Sequence, residues 1–326
     1  MTYAFVDKAR TEHTVVLLCR LLEVSHSGYY AWRRRGPSRR SLNDQLLLAR
    51  IKDIHRQCRQ NYGALKTWRV LQLRGEAGGK HRIARLRREH GNEARRKRRF
   101  RNAVRHEFTL PPAENLLQRR FHDVPEPNKV WVGDITYVAT RRGWLYLAVL
   151  LDLYSRLVVG WAMGKRITRD LPLAALEMAV AHRKPDAGLL HHTDRGSQYA
   201  SYQYRQRLDR LGFDASMSRK GNAWDNAVAE SFFSNLKNEL IHHQTFDNQD
   251  QARTEIFKYI ERFYNRERAH AALNYMSPVE FQHKSVALYN LSVETGLAHH
   301  VPAMRELLGY GDGVTGYFLP VMLSGR

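Results

Sequence analysis

Asp134 stands in the middle of a run of strand-forming residues, VWVGDITYV at 130–138. Read with a period of two, Val130, Val132, Asp134, Thr136 and Val138 share one face of a strand. A carboxylate among valines is costly unless a partner holds its charge, and a metal ion is one such partner. Asp194 closes the short segment LLHHTD, just before the turn residues Arg195 and Gly196. Glu230 falls in the first or second turn of a strongly amphipathic stretch over 226–240. A strand centre, a strand end and a helix start can converge on one point. Three converging carboxylates repel one another unless cations sit between them. Hard oxygen donors with room for water and phosphate suit Mg²⁺ or Mn²⁺. Two such ions about 4 Å apart can activate an attacking oxygen and stabilise a leaving one in phosphoryl transfer.

The elements that must position these residues follow from pattern and turn chemistry. Arg141, Arg142 and Gly143 predict a hairpin turn after the first strand. Trp144 to Leu153 reads as a second strand and Leu157 to Met163 as a third, joined by a tight Tyr154-Ser155-Arg156 connection. A helix is expected over 171–182, a fourth strand from Leu189, a helix over 201–211 and a fifth strand over 213–218. A polar loop, 221–225, leads into the helix over 226–240, with Val228, Phe232, Phe233, Leu236 and Leu240 inward. This order predicts an α/β domain: a mixed five-stranded sheet, opening with an antiparallel meander and flanked by helices.

The chain has 326 residues, 53 Lys and Arg against 32 Asp and Glu, and a net charge of +21. So basic a chain points to a polyanion, most often nucleic acid. Of these, 29 basic and 10 acidic residues lie in 1–120, which leaves the remainder almost neutral. The prolines at 111, 112, 125 and 127 mark the boundary between a basic region, 1–120, and a second domain, 121–283. No stretch of 18 apolar residues exists, the start lacks a signal-peptide pattern, and the two cysteines, Cys19 and Cys58, form neither a disulfide framework nor a zinc knuckle. The expected location is a reducing cytosol, on the nucleoid.

In the basic region, 13–34 reads as two short helices with Ser25 as the N-cap of the second, either a DNA-binding helix-turn-helix or plain helical packing. A longer helix is expected over 41–58, with Leu42, Leu46, Ala49 and Ile54 as its apolar face. A helix pair follows from Tyr62, turning at Gly75–Gly79. Arg82, Arg85, Arg87 and Arg88 cover the remaining surface of its last helix, where phosphate contact and simple solvation are the two readings. The run containing Arg96, Lys97, Arg98 and Arg99 reads as an arm along a DNA backbone.

Five motifs in order carry a family resemblance: WVGDITYV, LDLYSRLVVGW at 151–161, HHTDRGSQY at 191–199, SMSRKGNAWDNAVAESFFSNLKNEL at 216–240 and YNRERAHAALNYMSPVEF at 264–281. The chain resembles bacterial insertion-sequence transposases of the retroviral-integrase (DDE) superfamily, within insertion-sequence family three, as its catalytic reading-frame product. The thirty-five residues between Asp194 and Glu230 match that family's signature spacing. The resemblance is strong over 125–283 and weaker over 1–100. It implies an RNase H-like integrase core in which Asp134, Asp194 and Glu230 are catalytic and bind two Mg²⁺ ions, with Mn²⁺ as a substitute. It also implies metal-dependent cleavage at the element's ends and strand transfer into target DNA, with water or a DNA 3′-hydroxyl as the attacking group.

Lys237 lies two turns beyond Glu230 and is similar to the lysine that relatives place against terminal DNA; a solvated lysine is the plainer reading. Asn226, one turn before Glu230, can orient a metal ligand or a phosphate, and Arg219 and Lys220 are expected on DNA. His191 and His192 read as packing residues. Asp152 reads as structural, paired with Arg156. Ser197 either shapes the site mouth or caps a helix. Tyr264, Asn265, Arg268 and His270 are expected to fix the last helix on the core, with a DNA contact by Arg268 or His270 as the alternative. Expected partners are the terminal inverted repeats and target DNA, further copies of the chain on DNA, and an upstream-frame protein with a helix-turn-helix and leucine zipper. Residues 284–326 have no assignment. A DNA-binding regulator of the full transposase, or an RNase H-fold nuclease or resolvase, are the rival readings.

Overall fold

The computed structural model describes residues 2–95, 113–121, 124–219 and 223–294; the side chains of 223–224 and 288–294 fall outside that description. Arg96, Lys97, Arg98, Arg99 and Lys220 therefore lie outside the described residues.

The sheet is the one the pattern predicts. Strands β1 (Val130–Thr140), β2 (Gly143–Asp152), β3 (Val158–Gly164), β4 (Leu190–Thr193) and β5 (Asp214–Met217) lie in the order β3-β2-β1-β4-β5. The first three form an antiparallel meander, and β1–β4 and β4–β5 are parallel. Helices α7 (Asp170–Arg183) and α8 (Tyr202–Leu211) cover one face, where Leu176, Ala179, Tyr204 and Leu208 bury Trp131, Leu150 and Val159. The α7 backbone comes so near β3 that a Cβ on Gly160 would lie 2.3 Å from the Ala175 carbonyl. On the other face, α9 (Ala227–Glu239) and α10 (Gln249–Phe257) bury Val132, Val138, Leu147, Val149 and Leu151 against Phe232, Leu236 and Ile256. The α10 helix continues as a π-helical segment, Lys258–Tyr264.

Among the described residues, six helices precede the sheet. α1 (Thr2–Ala9), α2 (Val15–Leu21) and α3 (His26–Arg34) enclose a small core of Val6, Leu18, Cys19 and Tyr29, and Ser25 caps α3 through the Gly28 amide. The second trio, α4 (Arg39–Gln57), α5 (Ala64–Leu73) and α6 (Lys80–Glu89), buries Leu47, Ile51, Ile54, Leu71, Ile83 and Leu86 in a core continuous with α9 and α10.

Several expectations need correction. The inner face of α4 runs through Leu47, Ile51 and Ile54, while Leu42 and Leu46 are 45% and 69% exposed. Of the α6 arginines read as phosphate contacts, Arg87 is buried, donating to the Thr67 hydroxyl and the Tyr62 carbonyl. Arg82 and Arg85 both pair with Asp44 of α4. Residues 113–121 belong with the sheet, because Met217 N–H donates to the Glu114 carbonyl and Leu117 is buried in the main core. The helix α11 (Pro278–Glu294) runs through the boundary expected at 283.

Candidate active site

Parallel pairing of β1 with β4 ends at the register Gly133–Thr193, so Asp134 and Asp194 each stand one residue beyond the last pair. Two carboxylates sixty residues apart in sequence thereby become neighbours where the β1–β4 pairing stops, one in the middle of β1 and one just past the end of β4. Asp134 Oδ1 accepts from the Ile135 amide at 2.7 Å, and Asp194 Oδ1 from the Gly196 amide at 2.9 Å. Glu230 arrives from the first turn of α9. The start of α9 is tied to β1 by Asn226, whose Nδ2 donates to the Gly133 carbonyl at 3.3 Å.

These groups act on one another. Burial, and then the negative charges of Asp194 and Glu230, push the Asp134 carboxyl well above the ordinary carboxylate range; the Ile135 amide and Lys237 pull the other way. Partial burial and the charge of Asp194 raise Glu230 as well. Burial lowers the Lys237 ammonium, opposed by the charge of Asp134. Two buried polar atoms border the cluster without a partner: the Tyr199 hydroxyl, which feels both Asp134 and Asp194, and Asn226 Oδ1. Buried polar atoms are ordinarily satisfied by protein, water or an ion. Hard carboxylate oxygens, mutual repulsion and two unpartnered oxygens fit a hydrated divalent cation. Among the described residues, no three His, Cys, Asp or Glu side chains are already drawn into a cluster able to hold a metal ion.

The surrounding polar groups mostly hold the site in place. His191 bonds the Tyr204 hydroxyl at 2.6 Å, and His192 bonds the hydroxyls of Ser216 and Ser218. Burial pushes both imidazoles down to about 4, so both are neutral packing groups at pH 7, as their strand position suggests. Asn226 is itself buried and tied to β1, so it orients the site from beneath. Arg219 is half exposed and grips Asp225 through Nε and Nη2. Asp225 also receives Asn115 and Arg119, and Arg219 chiefly holds its carboxyl far below the ordinary range. This buried hub joins the 113–121 segment to the base of α9. It is absent from the sequence-based reading, and the WDN run was its only local signal.

Other expectations resolve plainly. Ser201 caps α8, so Ser197 does not. Asp152 and Arg156 are paired across the turn through the backbone, the Arg156 amide donating to the Asp152 carbonyl at 2.8 Å; the Asp152 carboxylate accepts from Asn128 and Ser155, and the Arg156 side chain donates to the Phe121 carbonyl. Asn265 bonds both the amide and the carbonyl of Val158, and Arg268 pairs with Glu239 at 2.8 Å. Arg268 and His270 are both buried, which supports anchoring and removes the DNA-contact alternative.

Comparison with known proteins adds a second line. An integrase core domain family matches residues 124–223, a further integrase core domain family matches 230–286, and an HTH-like domain family matches 41–100. The 31 kDa protein of insertion element IS600 from Shigella sonnei is 46% identical over 82% of this chain and 98% of its own length. The transposase InsF of insertion sequence IS3A from Escherichia coli strain K12 is 39% identical over 88% of this chain and 100% of its own. Among solved structures, the HTLV-2 integrase catalytic core in complex with magnesium is 18% identical, with a TM-score of 0.38 over 48% of this chain and 98% of that one.

Proposed function

This chain belongs to the IS3 transposases built on an integrase core, and we propose that Asp134, Asp194 and Glu230 are the carboxylates at which it cuts and joins DNA phosphodiesters. The enzyme is a polynucleotidyl transferase acting on DNA. The observation that carries the residue assignment is the parallel β1–β4 register, which sets Asp134 beside Asp194 within charge range of Glu230.

Divalent cations bound between these carboxylates would supply activation of the attacking oxygen and charge stabilisation at the leaving one. The chain's own residues do the rest. The buried tie from Asn226 to Gly133 holds α9 against β1, so Glu230 keeps its distance from Asp134. Lys237 brings a cation to the same cleft and meets the negative charge of a phosphodiester. As the family resemblance implies, the attacking group is water or a DNA 3′-hydroxyl; the two nearest histidines, neutral and bonded to hydroxyls, hold the strands in place. Arg219, clamped by Asp225, and the exposed surface of α6 around Arg88 are the proposed backbone contacts, and the basic arm at 96–99 extends them. Two element ends must be joined in concert, so the working form is an oligomer of this chain on DNA, with an upstream-frame protein as a further proposed partner.

Asp134→Asn, Asp194→Asn and Glu230→Gln test the assignment on labelled element ends with Mg²⁺. Each is expected to reduce cleavage and strand transfer by about a thousandfold or more while leaving DNA affinity within about twofold. Activity near that of the unaltered protein in any one variant overturns the role of that residue. Cleavage without joining by the unaltered protein would instead assign the nuclease reading.

A further inference from the structure

The hairpin of β1 and β2 presents two large aromatic rings to solvent. Tyr137 is 42% exposed and Trp144 is 50% exposed, although both residue types gain most from burial. Tyr137 faces Tyr146 across the strands and Trp144 faces Ala139, so the two rings are diagonal neighbours on one side of the hairpin. Their centroids are 5.1 Å apart and their planes stand at 87°. An edge-to-face pair of this kind leaves ring surface open to a third flat group.

Two features say what that group is. Lys237 Nζ lies 5.5 Å from the centre of the Tyr137 ring, and the same ammonium feels the charge of Asp134. The aromatic pair is thus linked through one lysine to the carboxylates. The hairpin turn adds Arg142, which is exposed, and Arg141, which pairs with Asp247 at 2.9 Å. Exposed aromatic faces among cations are the chemistry that stacks nucleobases while phosphates are held alongside. A paired base inside a duplex has both faces covered by its neighbours. An unpaired one offers a face to a protein ring.

We infer that Tyr137 and Trp144 form a stacking subsite for an unpaired base at the DNA end being processed, with Lys237 on the adjoining phosphate. The inference rests on the carboxylates being the reaction centre, and it adds a residue-level account of how the end is held there. Stacking reads flatness and not base identity, so the subsite takes any of the four bases and favours ends that open easily.

The test uses the full chain carrying Asp134→Asn, so that no DNA is cut during measurement. The probes are duplexes of the element's own terminal sequence, one with three unpaired terminal nucleotides and one fully paired, each with 2-aminopurine as the last base. The unpaired probe is expected to lose fluorescence on binding as its base stacks. Trp144→Ala is expected to abolish that quenching and weaken the unpaired probe about tenfold, with less than about a twofold change for the paired probe. Tyr137→Ala acts in the same direction, and Trp144→Phe retains the quenching. Absence of quenching with the parent protein overturns the proposal, as does equal weakening of both probes by Trp144→Ala. Cleavage by the Asp134→Asn protein would sink the carboxylate assignment and leave the fluorescence result standing by itself.

Discussion

Asp134 works against the fold that holds it. Burial and two neighbouring carboxylates raise its pKa, so the folded chain binds a proton there more tightly than the unfolded chain does. A raised carboxyl adds stability below its unfolded pKa, and that contribution is lost as pH rises through the folded value. At pH 7 without divalent cations, the raised carboxyl therefore costs stability. Asp134→Asn is expected to raise the melting temperature of the cation-free protein by about 2 °C, the scale of one kcal/mol for a chain of this size. Added Mg²⁺ is expected to stabilise the unaltered protein and to move the variant far less. Thermal scans with and without EDTA decide it, and a lower melting temperature in the cation-free variant would contradict the repulsion. The oddity of Asp134 was readable as a charge inside an apolar strand. Its partnership with Asp194 was not readable from residue types, because it depends on the register of β1 with β4. Arg87 shows the opposite error. In sequence it resembles its exposed neighbours, but its place on α6 turns it toward the Thr67 hydroxyl and the Tyr62 carbonyl, and three-dimensional placement alone reveals that.

Helix α9 carries three ionisable side chains with three different tasks. Glu230 and Lys237 face the cleft, while Glu239 is buried at its far end, paired with Arg268 and accepting from the Tyr259 hydroxyl. Burial alone would raise Glu239, but Arg268 and the Tyr259 hydroxyl bring its carboxyl below the ordinary range. The sign is the reverse of that at Asp134. The contribution is present above the unfolded carboxylate pKa, near 4.3, and is lost as pH falls through the lower folded value. Breaking one side of the pair, as in Arg268→Met, strands a buried charge and is expected to cost about 3–5 kcal/mol. The double variant Glu239→Met with Arg268→Met is expected to recover most of that loss and to denature less steeply below about pH 4. Urea titrations at pH 7 and pH 3.5 measure both. Additive losses in the double variant would show that the pair does not act as a unit. At this scale periodicity served well, since all five strands and α7 to α9 lie within a few residues of expectation. It failed for α1, whose apolar side is only Val6 and its neighbours, too little pattern to register. On α4 it found Ile54 but missed Leu47 and Ile51, taking instead Leu42, Leu46 and Ala49, which repeat at helical spacing among themselves on the exposed side.

The charge of +21 divides the chain into a basic and a near-neutral part, yet the structure joins them through one core. Ile54, Leu71 and Leu86 of the HTH-like helices share a continuous apolar cluster with Tyr259, Phe263 and Phe232 of the catalytic part. A buried polar clasp crosses the seam: the Ala269 amide donates to the Tyr62 hydroxyl at 2.7 Å, next to the Arg268–Glu239 pair. Arg59 lies over the rings of Tyr259 and Phe263 from the same side. Composition could not foresee this, because apolar residues of two segments far apart in sequence carry no label for the core they join. A shared core makes the position of α4–α6 relative to the cleft a fixed property of the fold, so DNA bound on the helices, as proposed, would be presented to the proposed carboxylates at a set distance. Tyr62→Phe tests that coupling with the smallest change, removing one oxygen and leaving the ring. The Ala269 amide then stays buried without its acceptor, a loss of about 1–3 kcal/mol. If the two parts open as one cooperative unit, amide exchange in α5 and in α9 should accelerate by the same factor, about 5- to 150-fold for that range. Hydrogen-exchange mass spectrometry resolves the two helices separately. Acceleration confined to the residues around Ala269 would mean that the basic helices and the catalytic part open independently, and that their spacing on DNA is set by the DNA instead.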